Sequence, residues 1–205
     1  MAFSAYKTLE FVQQQYPQII VKNQKFIPDF LEDFVVKESL KEEIDLNLLT
    51  YRSNEFYATE NLVSPILRAA WRKYMKEMNM WTHQAIKYDE DLSGTPDFMF
   101  TNLEQEQYQK MSYPVVTTIV TTVEAKAENF VEGWAQCITQ MLACQKINTK
   151  PNVIIFGIVT TGKFWEFGKM ENNNVIIHTN SYSIENLPKL LGILDYLLNE
   201  ARKQL

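Results

Sequence analysis

The chain has 205 residues, of which 46% are hydrophobic and 22% charged, and a formal net charge of −5. That length builds one domain with a full core, and the acidic balance argues against a protein that coats nucleic acid non-specifically, because phosphate binding relies on Lys and Arg. No apolar run approaches the ~20 residues that span a bilayer, and no basic stretch followed by an apolar one opens the chain, so neither a membrane nor a signal peptide is expected.

Residues 5–15 carry Leu9, Phe11 and Val12 among polar neighbours and read as a short amphipathic helix that Pro17 ends. Ile19, Ile20 and Val21 suggest a short strand or an extended crossing. Residues 28–38 place Phe30, Leu31, Phe34 and Val35 at helical spacing. Ser39 followed by Glu42 fits a capping box, which starts another helix running to about Tyr51. Residues 53–80 form the strongest helical stretch, with Leu62, Val63, Ile66, Leu67, Ala70, Trp71 and Tyr74 on one face. Thr59 or Ser53 is its expected cap, and Pro65 marks its start or a kink. Its other face carries Arg68, Arg72, Lys73 and Lys76, the densest basic patch in the chain. This patch is either a solvated face or a set of phosphate contacts.

A strand over residues 83–88 is expected to open the sheet, and the acidic run 89–91 reads as a solvated turn. His83 has no Cys or second His beside it in sequence, so a structural or surface role is expected. Gly94, Thr95 and Pro96 are turn chemistry, and Phe98, Met99 and Phe100 begin a strand. Residues 101–114 form a loop that lets the next strand return antiparallel. That strand, 115–126, reads VVTTIVTTVEAK and has the β-branched content strands favour. Residues 127–147 read as a helix burying Phe130, Val131, Trp134, Ile138, Met141 and Leu142. Cys137 and Cys144 lie on it about 10 Å apart along the axis, too far for a disulfide, and read as buried thiols of a cytoplasmic protein. Residues 152–160 form a continuous apolar run, expected as a central strand. Thr161 and Gly162 turn the chain into a hairpin strand at 163–168. Asn172, Asn173 and Asn174 make a turn, 175–179 an edge strand and 184–204 a closing amphipathic helix.

The chemistry concentrates at two places. Side chains two apart on a strand share a face, so Glu124 and Lys126 point the same way. Asp97, at the entry to the preceding strand, comes beside Glu124 if the two strands pair. Two carboxylates and a lysine are costly to bury without purpose. Mg²⁺ accounts for them: Asp97, Glu124 and the carbonyl of Ala125 supply hard oxygen ligands, and Lys126 orients water or stabilises phosphoryl charge.

Pro96-Asp97 followed by Glu124-Ala125-Lys126 resembles the PD-(D/E)xK nuclease superfamily. The segment ENLVSPILRAAW is similar to a helix in the N-terminal nuclease domains of type I restriction subunits, and IVTTGKFWEF resembles the hairpin that follows their catalytic motif. The resemblance covers roughly residues 60–168. It implies a restriction-endonuclease-like α/β fold, a mixed central sheet flanked by helices. Residues 1–52 are then a helical extension packed on a core of 53–205, with a dimer arm or substrate-recognition element as the sharper reading. The resemblance also implies Glu60 as a further metal ligand, with Glu55 as the fallback, and Gln136 as a supporting residue. Gln140 stands where the family pattern carries a tyrosine.

The function expected from this resemblance is Mg²⁺-dependent hydrolysis of DNA phosphodiesters, with Mn²⁺ able to substitute and cleavage more endonucleolytic than exonucleolytic. Possible partners are a second copy of the chain and a separate specificity or motor subunit. The alternative is a non-catalytic domain of the same fold that binds nucleic acid or a protein.

Overall fold

The computed structural model describes residues 2–51, 54–103, 119–126, 129–148, 150 and 152–205. The molecule is a mixed α/β protein whose central mixed sheet is flanked by helices. In chain order, helix α1 (Leu9–Gln15) is followed by strand β1 (Ile20–Asn23) and helix α2 (Glu38–Leu49). One continuous helical run then comprises α3 (Glu55–Ala58), a π-helical turn (Thr59–Val63), α4 (Ser64–Trp71) and a 3₁₀ turn (Arg72–Tyr74). Strands β2 (Met78–Thr82), β3 (Ile86–Lys87), β4 (Ser93–Gly94), β5 (Phe98–Asn102) and β6 (Ile119–Ala125) lead to helix α5 (Phe130–Ile147). Strands β7 (Ile155–Thr160), β8 (Phe164–Glu171), β9 (Asn174–Ile177) and β10 (Tyr182–Ser183) precede the closing helix α6 (Leu187–Arg202).

The main sheet runs β1-β9-β8-β7-β6-β5-β2, with β10 on β8 and β3–β4 as a separate ribbon. Its centre is the parallel pair β6–β7, joined through α5, in which Glu124 lies beside Val159 and Ala125 beside Thr160. Every residue of β6 and β7 is buried. Helix α5 covers one face of this pair, and α6, itself packed against α4, covers the other. Close approach explains how α5 seats: a Cβ on Gly157 would meet Met141 Sδ at 2.6 Å, and one on Gly133 would meet Val159 at 2.4 Å. Gly162 turns β7 into β8 at φ 82°, in the left-handed region that glycine enters without penalty.

Several expected elements are displaced. Residues 28–37 form no helix. They run irregularly across α6, where the Phe34 amide donates to the Pro188 carbonyl at 3.1 Å, and Phe30 and Val35 are 95% and 89% exposed. Helix α2 begins at Glu38 with Lys37 as its cap, two residues ahead of the Ser39 box. The long helix ends at Tyr74, and Met78–Thr82 becomes the outer strand expected at 83–88. Thr59 does not cap that helix: Asn54 does, its side chain accepting from the Tyr57 amide. Ser53 itself, the strand start at 115–118, most of the 101–114 loop and the helix start at 127–128 lie outside the described residues.

Strand β9 is not an edge. Strand β1 pairs parallel to it, Val21 beside Val175, so the N-terminal residues complete the sheet as well as packing on it. His178 fastens that junction: its Nδ1 accepts from the amides of Phe26 and Ile27 at 3.2 and 3.4 Å.

Pro65 lies inside the helical run without breaking it. The widened turn absorbs it, the Ser64 amide reaching back to the Thr59 carbonyl. The Asn61 carbonyl, which a proline nitrogen cannot serve, accepts instead from the Asn47 side chain of α2 at 2.8 Å.

Candidate active site at the end of β6

Strand register brings the site together. In the antiparallel pair β5–β6, Phe98 lies opposite Val123, so Asp97, one residue before β5, comes level with Glu124. Asp97 closes that end of the pair: its Oδ2 accepts from the Ala125 amide at 2.7 Å.

Glu124 is 5% exposed, and both of its oxygens are bound. Lys126 Nζ lies 3.0 Å from Oε1, and Gln140 Nε2 donates to Oε2 at 2.5 Å. The other end of the Gln140 amide accepts from Thr122 Oγ1 at 2.6 Å. A buried polar chain therefore runs from Thr122 through Gln140 to Glu124 and Lys126. Such a network is stable in a low-dielectric interior only when each member is satisfied, as here. Helix α3 adds Glu55, whose Oε1 lies 3.4 Å from Lys126 Nζ.

His83 bridges the outer side. Its Nδ1 lies 3.6 Å from Asp97 Oδ1, its Nε2 lies 3.7 Å from Glu60 Oε1, and its amide donates to the Asp97 carbonyl at 2.9 Å. Its backbone is left-handed, at φ 49°. For a residue other than glycine this conformation is uncommon, and here it directly follows β2, with the His83 amide tied to the Asp97 carbonyl.

The electrostatics follow from burial and crowding. Burial first, and then the neighbouring Asp97, push the Glu124 carboxyl up to about 7, against the pull of Lys126 and Gln140. Burial also raises Asp97, partly offset by the Ala125 amide, Lys126 and His83. For Lys126 burial acts downward, but Glu124, Glu55 and Asp97 together outweigh it and raise the ammonium above its usual value. The cluster thus holds a permanent cation between acids that compete for protons.

Of the residues singled out from sequence, Asp97, Glu124, Ala125 and Lys126 meet at this one place. Glu60 is exposed and, among the described residues, reaches only His83. Gln136 turns away to Glu132 at 3.0 Å, a carboxylate that also pairs with Lys7, and Gln140 occupies the position beside Glu124. Glu55 contacts the lysine, and His83 stands at the rim. Helical spacing of four put Gln140 on the face of Gln136, but only the seating of α5 decides which of the two is level with Glu124.

Arg68, Arg72, Lys73 and Lys76 lie further along the same helical run and the turn after it, and Lys73 pairs with Asp195 at 2.8 Å. Among the described residues, no group of three or more His, Cys, Asp or Glu side chains is arranged to hold a metal ion.

Fold and site together define an α/β protein with a buried carboxylate–lysine–amide cluster at the end of its central strand. The sequence matches no protein-family model and no curated protein. Among the described residues no helix is long and apolar enough to cross a membrane.

Proposed function

We propose that the chain is a divalent-metal-dependent nuclease of the PD-(D/E)xK, restriction-endonuclease-like kind, hydrolysing phosphodiester bonds in DNA. The observation that carries this reading is the meeting of Asp97, Glu124 and Lys126 at the end of a central strand, in the order the motif requires. The donor set fits Mg²⁺ or Mn²⁺. Both carboxylates are hard oxygen donors, and Mg²⁺ takes one or two of them and keeps several waters, so a closed cage of three side chains is not needed. Burial, and after it the neighbouring Asp97 carboxylate, lift Glu124 to about 7, and a divalent cation relieves the repulsion between the two carboxylates.

Asp97 and Glu124 would hold the ion, with the Ala125 carbonyl as the backbone donor. When bound, the metal supplies a Lewis acid that lowers the pKa of water and neutralises phosphoryl charge. Lys126 orients the attacking water and stabilises the charge that develops on the phosphoryl oxygens. Glu55 keeps the ammonium in place, and Gln140 fixes the rotation of the Glu124 carboxylate. Glu60 and His83 flank the entrance from the solvent side.

The test is cleavage of single-stranded, duplex and branched DNA with Mg²⁺ or Mn²⁺, run beside Lys126→Ala and Glu124→Ala. Metal-dependent cutting that both variants lose supports the assignment. Cutting that survives in both moves the chemistry elsewhere. Absence of both cutting and metal binding favours the non-catalytic reading of the same fold, a domain that binds nucleic acid or a protein.

A further inference from the structure

The described residues line an open cavity of about 480 Å³ away from the carboxylate cluster, between the 28–37 segment, α2 and α4. Three of its lining cations, Lys37, Arg68 and Arg72, have no side-chain hydrogen bond or ion pair among the described residues. Lys73 at its edge is held by Asp195. Glu43 is the single carboxylate in the lining, so cations outnumber it. The remaining wall is largely apolar, with Phe34, Val35 and Leu40 in the lining.

These features arise from how the segment lies. Had residues 28–38 formed the expected helix, Lys37 and Phe34 would sit on helical faces instead of an irregular wall. The chain is instead tied to α6 by the bond from the Phe34 amide to the Pro188 carbonyl, and a Cβ on Gly192 would meet the Glu32 carbonyl at 2.7 Å. The strap thereby stands off α4 and leaves a cleft. Arg68 and Arg72 are four apart, so their guanidinium groups share the helix face that looks into it. The end of a helix tolerates such cations, but it leaves their hydrogen-bonding forks unfilled.

The geometry points to a second ligand site here, for a small organic phosphate of about mononucleotide size. Guanidinium forks match phosphate oxygens in pairs, and a guanidinium keeps its charge at any working pH. The volume lies in the range of small-molecule pockets. The apolar wall gives an organic moiety a surface to cover, which a bare anion would leave wet. A duplex backbone would instead ride on projecting basic side chains. The site is separate from the carboxylates. Arg68 follows Glu55 by thirteen positions of helix, roughly 20 Å at the usual rise, and α4 packs with α6 on the sheet face opposite α5. The proposal therefore stands whether or not the carboxylate cluster cuts DNA.

The experiment is calorimetric titration of the full chain with adenosine 5′-diphosphate, glucose 6-phosphate, inorganic phosphate and a short DNA duplex. It is repeated on Arg68→Gln/Arg72→Gln, whose folding is checked by its melting temperature. At least one of the two organic phosphates is expected to bind the wild type, more tightly than inorganic phosphate, and to weaken by about tenfold or more in the double variant, the loss expected from removing charge-assisted contacts. Failure of both organic phosphates to bind overturns the site. So does binding that the double variant leaves unchanged, or inorganic phosphate binding as tightly as either. Duplex binding lost in the variant without any organic phosphate binding would make this face a nucleic-acid track instead.

Discussion

At the end of β6 every described charge is answered. Glu124 has Lys126 and Gln140, Lys126 has Glu124 and Glu55, and Asp97 has the Ala125 amide. In the cavity along α4, Lys37, Arg68 and Arg72 face the same space with no described partner. The first arrangement is preorganised: its groups are aimed before any ligand arrives, as a catalytic cluster requires, and its burial makes each contact costly to break. The second is poised for reception: its cations are exposed and solvated, so they cost little while they wait and gain a partner only when an anion enters.

The contrast can be broken most sharply at the lysine. Lys126→Ala is expected to lower metal-dependent cleavage by about 10²–10³-fold, the usual loss for one preorganised group that stabilises transition-state charge. Initial rates on labelled DNA measure this, and a loss under tenfold would remove Lys126 from the chemistry.

Next in size is pH. The folded protein holds the Glu124 proton up to about 7, whereas the ordinary carboxyl releases it at 4.5. The stability from this raised group is complete below the lower value and drains away as pH climbs through the higher one, by on the order of 3 kcal/mol for the metal-free chain. Urea midpoints for wild type and Glu124→Gln across this window check it: the variant should lose most of the slope. Added Mg²⁺ should bind more tightly as pH rises toward 7, because the ligand must shed its proton.

Smaller again is the glutamine. Gln140→Leu leaves Glu124 Oε2 and Thr122 Oγ1 without their described partner and should cost about 1–3 kcal/mol in chemical denaturation. Gln136→Leu gives up one described side-chain hydrogen bond, to the partly exposed Glu132, and should cost less; the reverse ranking would return the supporting role to Gln136. Smallest is the cavity. Arg68→Gln and Arg72→Gln should each shift stability by no more than about 0.5 kcal/mol, since neither gives up a contact. A larger drop would show that these cations are already engaged.

The centre of the fold was legible because its signals are local and strong. The Val- and Thr-rich run ending at Lys126 has few alternatives to a strand. The apolar run around Ile155–Thr160 is likewise bounded by turn residues, and the leucine periodicity of α6 repeats over many turns. The approach of Asp97 to Glu124 followed from placing a turn-entry residue beside an antiparallel return. What escaped was decided by distant partners. Residues 28–38 have helical spacing, yet Val35 and Val36 are β-branched and the segment finds its bonding partner on α6, which only the folded chain provides. Met78–Thr82 continues a helical-looking pattern and becomes a strand because β5 offers it a ladder. The choice of Gln140 over Gln136 depends on how deeply α5 settles over Gly133 and Gly157. The partnership of Glu55 with Lys126 crosses a helical turn whose pitch no period of 3.6 anticipates.

That widened turn, Thr59–Val63, works like a coarser thread cut into an otherwise regular screw. One added residue advances everything on its N-terminal side by about 100° relative to α4. The two halves of a single rod are thereby indexed separately: Ile66, Leu67 and Ala70 stay pressed into the core while Glu55 is dialled toward Lys126. Counting heptads straight through the rod would assign Glu55 to the wrong side. A transplanted copy with a regular pitch would keep the packing of its far half and lose the carboxylate's aim.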